Sequence, residues 1–584
     1  MCGIAGIYKI NKSSVSIEDL KKMTDAIIHR GPDGEGFWLN EKETIGFGHR
    51  RLAIIDLSEN GKQPMHYAES RYTLTFNGEI YNYIELKEQL LKKGYKFKSE
   101  SDTEVLLALY DLKKEKCLDD LDGMFAFAIW DKKDETLFCA RDRFGEKPFY
   151  YHYKPGGAFI FASEMKALWA AGVPKENDIK MTNLFLKTGR VLDPDDLSKT
   201  FYKNILQLNS AHYLKIDTKG LNINRYYDIK IAEPDYRITR KEASEKFYSL
   251  LENSVKLRLR SDVAVGSSLS GGLDSSSIVM LIDKLKGNSA QQNTFSARFE
   301  GFIKDEGKYI HEVVDACKNV VCHEVWPNNE QLENDLKKLC YHQEEPFGSA
   351  SIFAQWKVME LAKQKETIVL LDGQGADEYL GGYLYFYSSY LNQLFINDRS
   401  KYVSEIKAYN SLRGNTMKRK EEEETLRMKL GRYKRKILNQ PSSYSTTYLK
   451  EELKKCLLHD SVKSLLRFAD RNSMAHSREV RLPFLSHPLI EFVFSLPDDF
   501  LLTEGWTKWI LRESMKNTLP DNICWRVDKI GYEPPQDKWL ANNPYWKDQI
   551  ATGKTILNKL ATGKPETYKT DDWQLIMISK YFAN

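Results

Sequence analysis

The chain has 584 residues, 42% hydrophobic and 29% charged, and its 86 basic and 82 acidic side chains leave a net charge of only +4. That length exceeds a single hydrophobic core and calls for at least two domains, while the balanced charge leaves no electrostatic footprint for nucleic acid or an anionic membrane. No apolar run is long enough to span a bilayer, no signal-peptide pattern opens the chain, and eight scattered cysteines form neither a disulfide framework nor a CxxC zinc pattern, so the expectation is a cytoplasmic protein with reduced thiols.

The chain opens "MCGIAG". Removal of Met1 would leave Cys2 with a free α-amino group beside its thiol, a nucleophile and a base on one residue. From there to about residue 210, short apolar runs alternate with Gly, Asn and Asp: "RLAIIDL", "RYTLTFNGEIYNY", "MFAFAIWD", "TLFCARD" and "AFIFASE". Their length, aromatic content and turn punctuation predict strands. "SIEDLKKMTDAIIHR" and "YIELKEQLLKKG" repeat apolar residues at helical spacing. The first domain, 1–210, therefore reads as α+β on antiparallel sheets. Residues 211–240, polar and containing Pro234, read as a linker.

From about 241 the pattern changes. "DVAVGSSLS", "NTFSARF" and "ETIVLLD" read as strands, with "SSSIVMLIDKLKG" and "EGKYIHEVVDACKN" as helices between them. Alternation of this kind means a parallel sheet covered on both faces. Beyond about 383 the chain is mostly helical, and "KRKEEEETLRMKLGRYKRK" sets Lys420–Glu424 and Glu423–Arg427 at i,i+4, a solvated helix with paired charges. The second domain is thus α/β with a helical C-terminal part, 241–584.

Two strand-to-helix loops carry chemistry. In "LSGGLDSSS" (269–277) Gly271 and Gly272 permit close backbone approach. The hydroxyls of Ser270, Ser275 and Ser276 and the N–H groups of the helix start favour a phosphate. The loop lacks the Lys of a Walker A motif. "LLDGQGADEYLGGY" (370–383) follows another strand, and loops at the carboxyl ends of parallel strands share one edge. Asp377 and Glu378 can therefore reach the phosphates that Asp274 reaches, and carboxylates flanking a polyphosphate suit Mg²⁺.

These motifs together resemble the glutamine-hydrolysing asparagine synthetases. The first domain is similar to class II glutamine amidotransferases, N-terminal nucleophile hydrolases with an antiparallel sheet sandwich, through "MCGIAG", "RGPD" (30–33), "HRRLAIIDL" (49–57), "FNGEIYNY" (76–83), "SDTEVLL" (101–107), "DGMFAFAIWD" (122–131) and "RDRFG" (141–145). The second resembles the ATP-pyrophosphatase-type synthetase domain through "LSGGLDSS", "GQGADE", "VRLPFL" (480–485) and "WTKWILRESM" (506–515).

The resemblance implies that Cys2 attacks the glutamine amide, with its α-amino group as base, since an ordinary value of about 7.7–8.0 lies near working pH. It implies an oxyanion hole from Asn77 and Gly78. Arg51 would meet the substrate α-carboxylate, Asp102 and Glu79 the α-ammonium side, and Ile55 would give backbone contacts. In the second domain it implies ATP-driven formation of an acyl-adenylate, pyrophosphate release and displacement of AMP by ammonia. Ser270, Gly271, Gly272, Asp274, Ser275 and Ser276 would hold pyrophosphate; Leu269, Ala297, Asp372 and Gly373 would line the nucleotide. Asp274 and Asp377 are the Mg²⁺ candidates, and Lys529 in "WRVDKIGY" would neutralise the leaving pyrophosphate. The implied partners are small molecules (glutamine, ATP and a carboxylate acceptor), with a homodimer compatible and neither nucleic acid nor membrane expected. Apolar runs such as "MFAFAIW" are candidates for walling an ammonia route, and a plain core explains them equally.

The chain departs from the family where the acceptor is handled. Asparagine synthetases carry Gly-Glu-Gly where this sequence has Gly373-Gln374-Gly375, and a neutral amide cannot take a proton from ammonia. The family's acceptor-binding Arg falls at Ala350, and no Arg lies from 344 to 368. Aspartate remains the default acceptor; a different carboxylate, such as a uronic acid or a specialised metabolite, is the alternative. A catalytically silent regulatory homologue is disfavoured by the intact Cys2, Asn77, Asp102, Asp377 and "SGGLDSS".

Overall fold

The computed structural model describes residues 2–287, 291–414, 448–528, 532–541, 543–560 and 570–582. Lys529 and the charged segment 420–427 lie outside them.

The first domain holds twelve strands: β1 (Gly3–Lys9), β2 (Gly34–Leu39), β3 (Ile45–Arg51), β4 (Met65–Tyr67), β5 (Tyr72–Ile80), β6 (Gly123–Asp131), β7 (Thr136–Arg141), β8 (Tyr150–Tyr153), β9 (Ala158–Ala162), β10 (Leu206–Gln207), β11 (His212–Asp217) and β12 (Gly220–Arg225). They form two antiparallel six-stranded sheets, ordered β10-β8-β9-β1-β3-β2 and β12-β11-β7-β6-β5-β4. Ile4 and Phe47 of one sheet share a buried cluster with Ala126 and Cys139 of the other, the packed interior of a sandwich.

Two differences from the sequence reading have physical causes. The sandwich runs on to Arg225, because β11 pairs with β7 and carries β12 at the sheet edge; the largely exposed, polar β12 looks like linker from composition alone. "RLAIIDL" is a loop after Arg51, not a strand. The Arg51 guanidinium turns back onto the carbonyl oxygens of Asp56 and Ser58, and Asp56 adopts φ +52°.

The second domain begins with the helix Arg240–Arg258, whose start is closed by a reciprocal Thr239–Glu242 capping box. Its sheet is all parallel: β13 (Val265–Ser268), β14 (Gln292–Ala297), β15 (Val320–Val325), β16 (Val369–Leu371) and β17 (Glu479–Arg481), ordered β15-β14-β13-β16-β17. The strand order reverses at β13, so the loops after β13 and β16 flank one crevice, where such sheets bind ligands. One core crosses the domain boundary: Leu52, Ile54, Tyr81 and Met124 of the sandwich pack in the same cluster as Leu269, Phe295 and Leu371. None of the described helices is long and apolar enough to cross a membrane.

Candidate active sites

Cys2 precedes β1 and is buried. Its N–H donates to Asn77 Oδ1 at 2.9 Å, and its thiol lies 3.9 Å from the Leu52 carbonyl oxygen. Burial pushes the thiol above its ordinary value, partly offset by the Leu52 contact and by Arg51. The other polar atom of the Asn77 amide, Nδ2, is buried with no hydrogen-bond partner among the described residues. Such a donor is costly unless something uses it; it is free to stabilise charge developing beside the thiol. Gly78 follows, and a Cβ there would stand 2.1 Å from Met124 O and 2.7 Å from Phe125 Cα, so the close β5–β6 approach requires glycine.

Asp102 heads the helix Asp102–Lys113; Ile80 N–H donates to its Oδ2 at 2.8 Å. Burial pushes its carboxyl up to about 6. Glu79 is buried and pushed well above the usual carboxylate range, first by burial and then by Glu479 and Asp102. Arg51 is buried with two guanidinium nitrogens on its own loop's carbonyls. Half-buried Ile55 packs against the interdomain core, and the neighbouring Ile54 carbonyl accepts from Asp262 N–H at 2.9 Å. Cys2, Asn77, Gly78, Glu79 and Asp102 are thus brought together, with the Arg51–Ile55 segment along one side.

In the second domain Leu269, Ser270, Gly271 and Gly272 lie past the end of β13, and Asp274, Ser275 and Ser276 open the helix Leu273–Lys286. Ser270 and Ser275 hydroxyls are 3.0 Å apart. Gly271 has φ +74°, and a Cβ would stand 2.8 Å from the Tyr309 side chain and 2.9 Å from Ile310 N. Gly373 packs so closely on Asp274 and Ser275 that a Cβ would meet Ser275 N at 2.8 Å, which joins the two loops. Ala297 ends β14 and Asp372 follows β16; burial raises the Asp372 carboxyl, while hydrogen bonds from Ser268, Gln374 and Gly373 oppose that.

Asp274 and Asp377 face a common point. Lys508 Nζ bridges them at 2.5 and 2.6 Å. Burial works against that ammonium, but the two carboxylates outweigh it and hold it above its ordinary value. Lys508 lies inside "WTKWILRESM", but the sequence alone gives it no role, because its two partners and its φ of +53° are set by the tertiary fold. The described residues hold no group of three or more His, Cys, Asp or Glu that suits a metal. Two convergent carboxylates do fit Mg²⁺ that takes its remaining ligands from phosphates and water. Arg526 was missed as well: its guanidinium donates to Glu306 at 2.8 Å and lies 3.7 Å over the Tyr309 ring, beside Gly271.

The family model of the glutamine amidotransferase domain matches residues 1–227 and that of asparagine synthase matches 246–555. Asparagine synthetase [glutamine-hydrolyzing] 1 of Bacillus subtilis is 31% identical over 100% of this chain and 94% of its own length. The chain belongs to the glutamine-hydrolysing asparagine synthetase family. A putative asparagine synthetase 2 of Methanocaldococcus jannaschii is 40% identical over 67% of this chain and 77% of its own, and Amidase chry2 of Gibberella zeae is 30% identical over 65% and 57%. This family member is therefore a glutamine-dependent amidotransferase of the asparagine-synthetase type, with a glutamine amidotransferase domain over residues 1–227.

The two sites of this synthetase-family chain are joined through one residue. Arg481 at the end of β17 lies with its guanidinium 3.7 Å from Glu79 and 2.5 Å from Glu479, while its carbonyl accepts from Asp372 N–H at 3.0 Å. Deeper still, Arg30 donates to the Cys2 carbonyl at 3.1 Å, to Glu164 at 2.8 Å and through both terminal nitrogens to Asp470 at 2.8 and 2.9 Å. Arg471 continues the network to Glu344 at 2.7 Å. In the acceptor region Ala350 is fully buried and its N–H donates to Gln536 Oε1 at 2.7 Å. Gln374 Oε1 is buried without a hydrogen-bond partner among the described residues.

Proposed function

We propose that the protein transfers ammonia from glutamine to a carboxylate activated by ATP as an acyl-adenylate, releasing AMP and pyrophosphate, with aspartate the default acceptor. The observation that carries this reading is Arg481, whose side chain reaches the Cys2 site and whose carbonyl holds the loop of the nucleotide site. Once Met1 is removed, the Cys2 nitrogen held by Asn77 Oδ1 is the α-amine. It takes the thiol proton as sulfur attacks the glutamine amide, and the oxyanion meets Asn77 Nδ2 and the Gly78 N–H. The Asp102 carboxylate receives the substrate ammonium, and Arg51 turns a remaining N–H to its carboxylate. Ammonia leaves toward the second domain past Glu79 and Arg481.

There the 270–276 loop binds the phosphates of ATP, Ala297 and Asp372 line the nucleotide, and Asp274 and Asp377 would hold Mg²⁺. Held there, Mg²⁺ would supply positive charge against the phosphates; the acceptor carboxylate oxygen attacks the α-phosphorus and the bond to pyrophosphate breaks. Lys508 offers a further cation to the pyrophosphate.

A second reading has support of its own. Buried Ala350 and the neutral Gln374 leave no guanidinium at 344–368 and no carboxylate at 374, which favours an acceptor other than aspartate. Pyrophosphate release with ATP, Mg²⁺ and glutamine across a panel of carboxylates tests both. Saturable stimulation by aspartate with asparagine and AMP as products supports the first reading. Silence with aspartate but a response to another carboxylate selects the second. ADP as product would overturn both.

A further inference from the structure

A narrow cleft between the domains, away from the thiol and from the nucleotide loops, has a cavity volume of about 20 Å³. Arg141 and Glu146 form the wall from the first domain, and Lys463 of the helix Ser461–Ala475 forms the wall from the second. The charges facing it do not balance. Glu345 is taken up by Arg467 at 2.6 Å. Asp470 is taken up by Arg30, and Arg471 is matched by Glu344 and Glu164. Asp142, next to Arg141 in sequence, is spent on the N–H groups of residues 144–147.

Two cations are left without a carboxylate. The Arg141 guanidinium is held by the carbonyl oxygens of Lys147, Gly145 and Leu208 and the Gln207 amide oxygen at 2.7–3.2 Å, acceptors that carry no net charge. Lys463 makes no hydrogen bond or ion pair among the described residues. Burial, with Arg141 and Arg225 adding, pushes its ammonium down to about 7. Lys199, also on the cleft, has its carboxylate Asp193 at 3.7 Å. Glu146 does not supply the missing charge: burial, with Asp142 adding, pushes its carboxyl up to about 8. It forms no ion pair with Arg141 or Lys463 among the described residues, and its Oε2 is buried without a hydrogen-bond partner among them.

We propose that this interdomain cleft binds a small oxyanion of the phosphate class between the Lys463 ammonium and the Arg141 guanidinium. Donors arriving from opposite walls suit several anion oxygens better than a single spherical ion. An anion there would satisfy Lys463 and bridge the two domains. Its floor, Asp470 and Arg471, belongs to the network that holds the Cys2 carbonyl through Arg30.

Competitive amine labelling of the whole protein, read at Lys463 by mass spectrometry, tests the site without interference from phosphate bound at the 270–276 loop. Inorganic phosphate at millimolar concentration should raise the Lys463 value to about 9 or more, which cuts its free-amine fraction near pH 8 about tenfold. Sodium chloride at equal ionic strength should not. AMP is tested in parallel: protection by AMP at lower concentration than phosphate assigns the anion to a nucleotide phosphate, and protection by phosphate alone assigns it to the inorganic ion. In phosphate-free buffer the K463M variant should melt no lower than the wild type, since it removes an uncompensated cation. Unchanged Lys463 reactivity in phosphate, or equal protection by chloride, would overturn the proposal.

Discussion

The Lys508 bridge makes a prediction about when Mg²⁺ can enter. In the absence of nucleotide, Asp274 and Asp377 are both occupied by one ammonium, at 2.5 and 2.6 Å. Charge-assisted hydrogen bonds contribute about 1.5–3 kcal/mol each. Both carboxylates are about a fifth exposed, so screening favours the lower end, about 3 kcal/mol for the pair. A metal ion that displaces Lys508 forfeits that amount, about a hundredfold in affinity. Lys508→Met should therefore bind Mg²⁺ without nucleotide about a hundredfold more tightly than the wild type, by isothermal titration calorimetry. Its melting temperature should fall in chelator, where two carboxylates repel, and recover in Mg²⁺. The sign of the pH dependence follows from the raised Lys508 value. The stabilisation is fully present below the ordinary lysine value of about 10.4 and is lost only as pH rises through the higher folded value. The Lys508 contribution to the stability gap between wild type and variant, measured in chelator, should accordingly persist to about pH 9; any change in the gap near pH 7 belongs to Glu378, whose carboxyl is pushed up to about 7 and which Lys508 helps to hold down. Equal Mg²⁺ affinities in the two proteins would refute the reasoning.

Other outcomes are open to direct measurement. Cys2→Ala should abolish glutamine hydrolysis while sparing product formation from added ammonium; equal loss of both would show that Cys2 serves more than the first site. Asp102, pushed up to about 6, lies above its unfolded value of about 3.9, so its ionisation costs stability as pH rises from about 4 to 6 and the cost is constant beyond. With Asp102 proposed to receive the glutamine ammonium as a carboxylate, kcat/KM for glutamine should fall as pH drops through about 6, with no such limb for ammonium; Asp102→Asn should lower kcat/KM throughout and erase the limb. Asp470→Ala strands buried Arg30 and should destabilise the protein by about 3–5 kcal/mol, read by denaturant unfolding. A loss within the range of surface substitutions would mean that Arg30 is held by Glu164 alone.

What the sequence exposed and what it hid divide along the distance over which residues cooperate. The strands β5, β6, β7 and β9 and the helix Leu273–Lys286 with Gly287 at its end are local patterns, and each stands where its pattern places it. The helix Asp102–Lys113 escaped, although "SDTEVLL" was singled out: its first nine residues are all buried, so it lacks the polar stripe by which a helix is recognised. Within the two loops the residue types alone point to phosphate chemistry, because backbone freedom and hydroxyls act over five or six positions.

Arg30, Arg481 and Lys508 each stand in a quoted motif, "RGPD", "VRLPFL" and "WTKWILRESM", but nothing local gives any of them a role. Each is one basic residue in a chain with 86, and what sets it apart is burial against partners far away in sequence: Asp470 for Arg30, Glu79 for Arg481, Asp274 for Lys508. Arg481 is fully buried, and a buried charge persists only when paired. Its partners belong to two domains, since Glu79 lies on β5 of the sandwich and Glu479 on β17 of the parallel sheet. Its Nε pairs with Glu479 and its Nη1 donates to the Arg258 and Arg260 carbonyl oxygens within the second domain, so only Nη2 faces the sandwich, 3.7 Å from Glu79. Arg30 is the tighter tie: separating the domains would strand it from Asp470, whose two oxygens it meets at 2.8 and 2.9 Å, so that buried pairing holds the Cys2 site against the second domain.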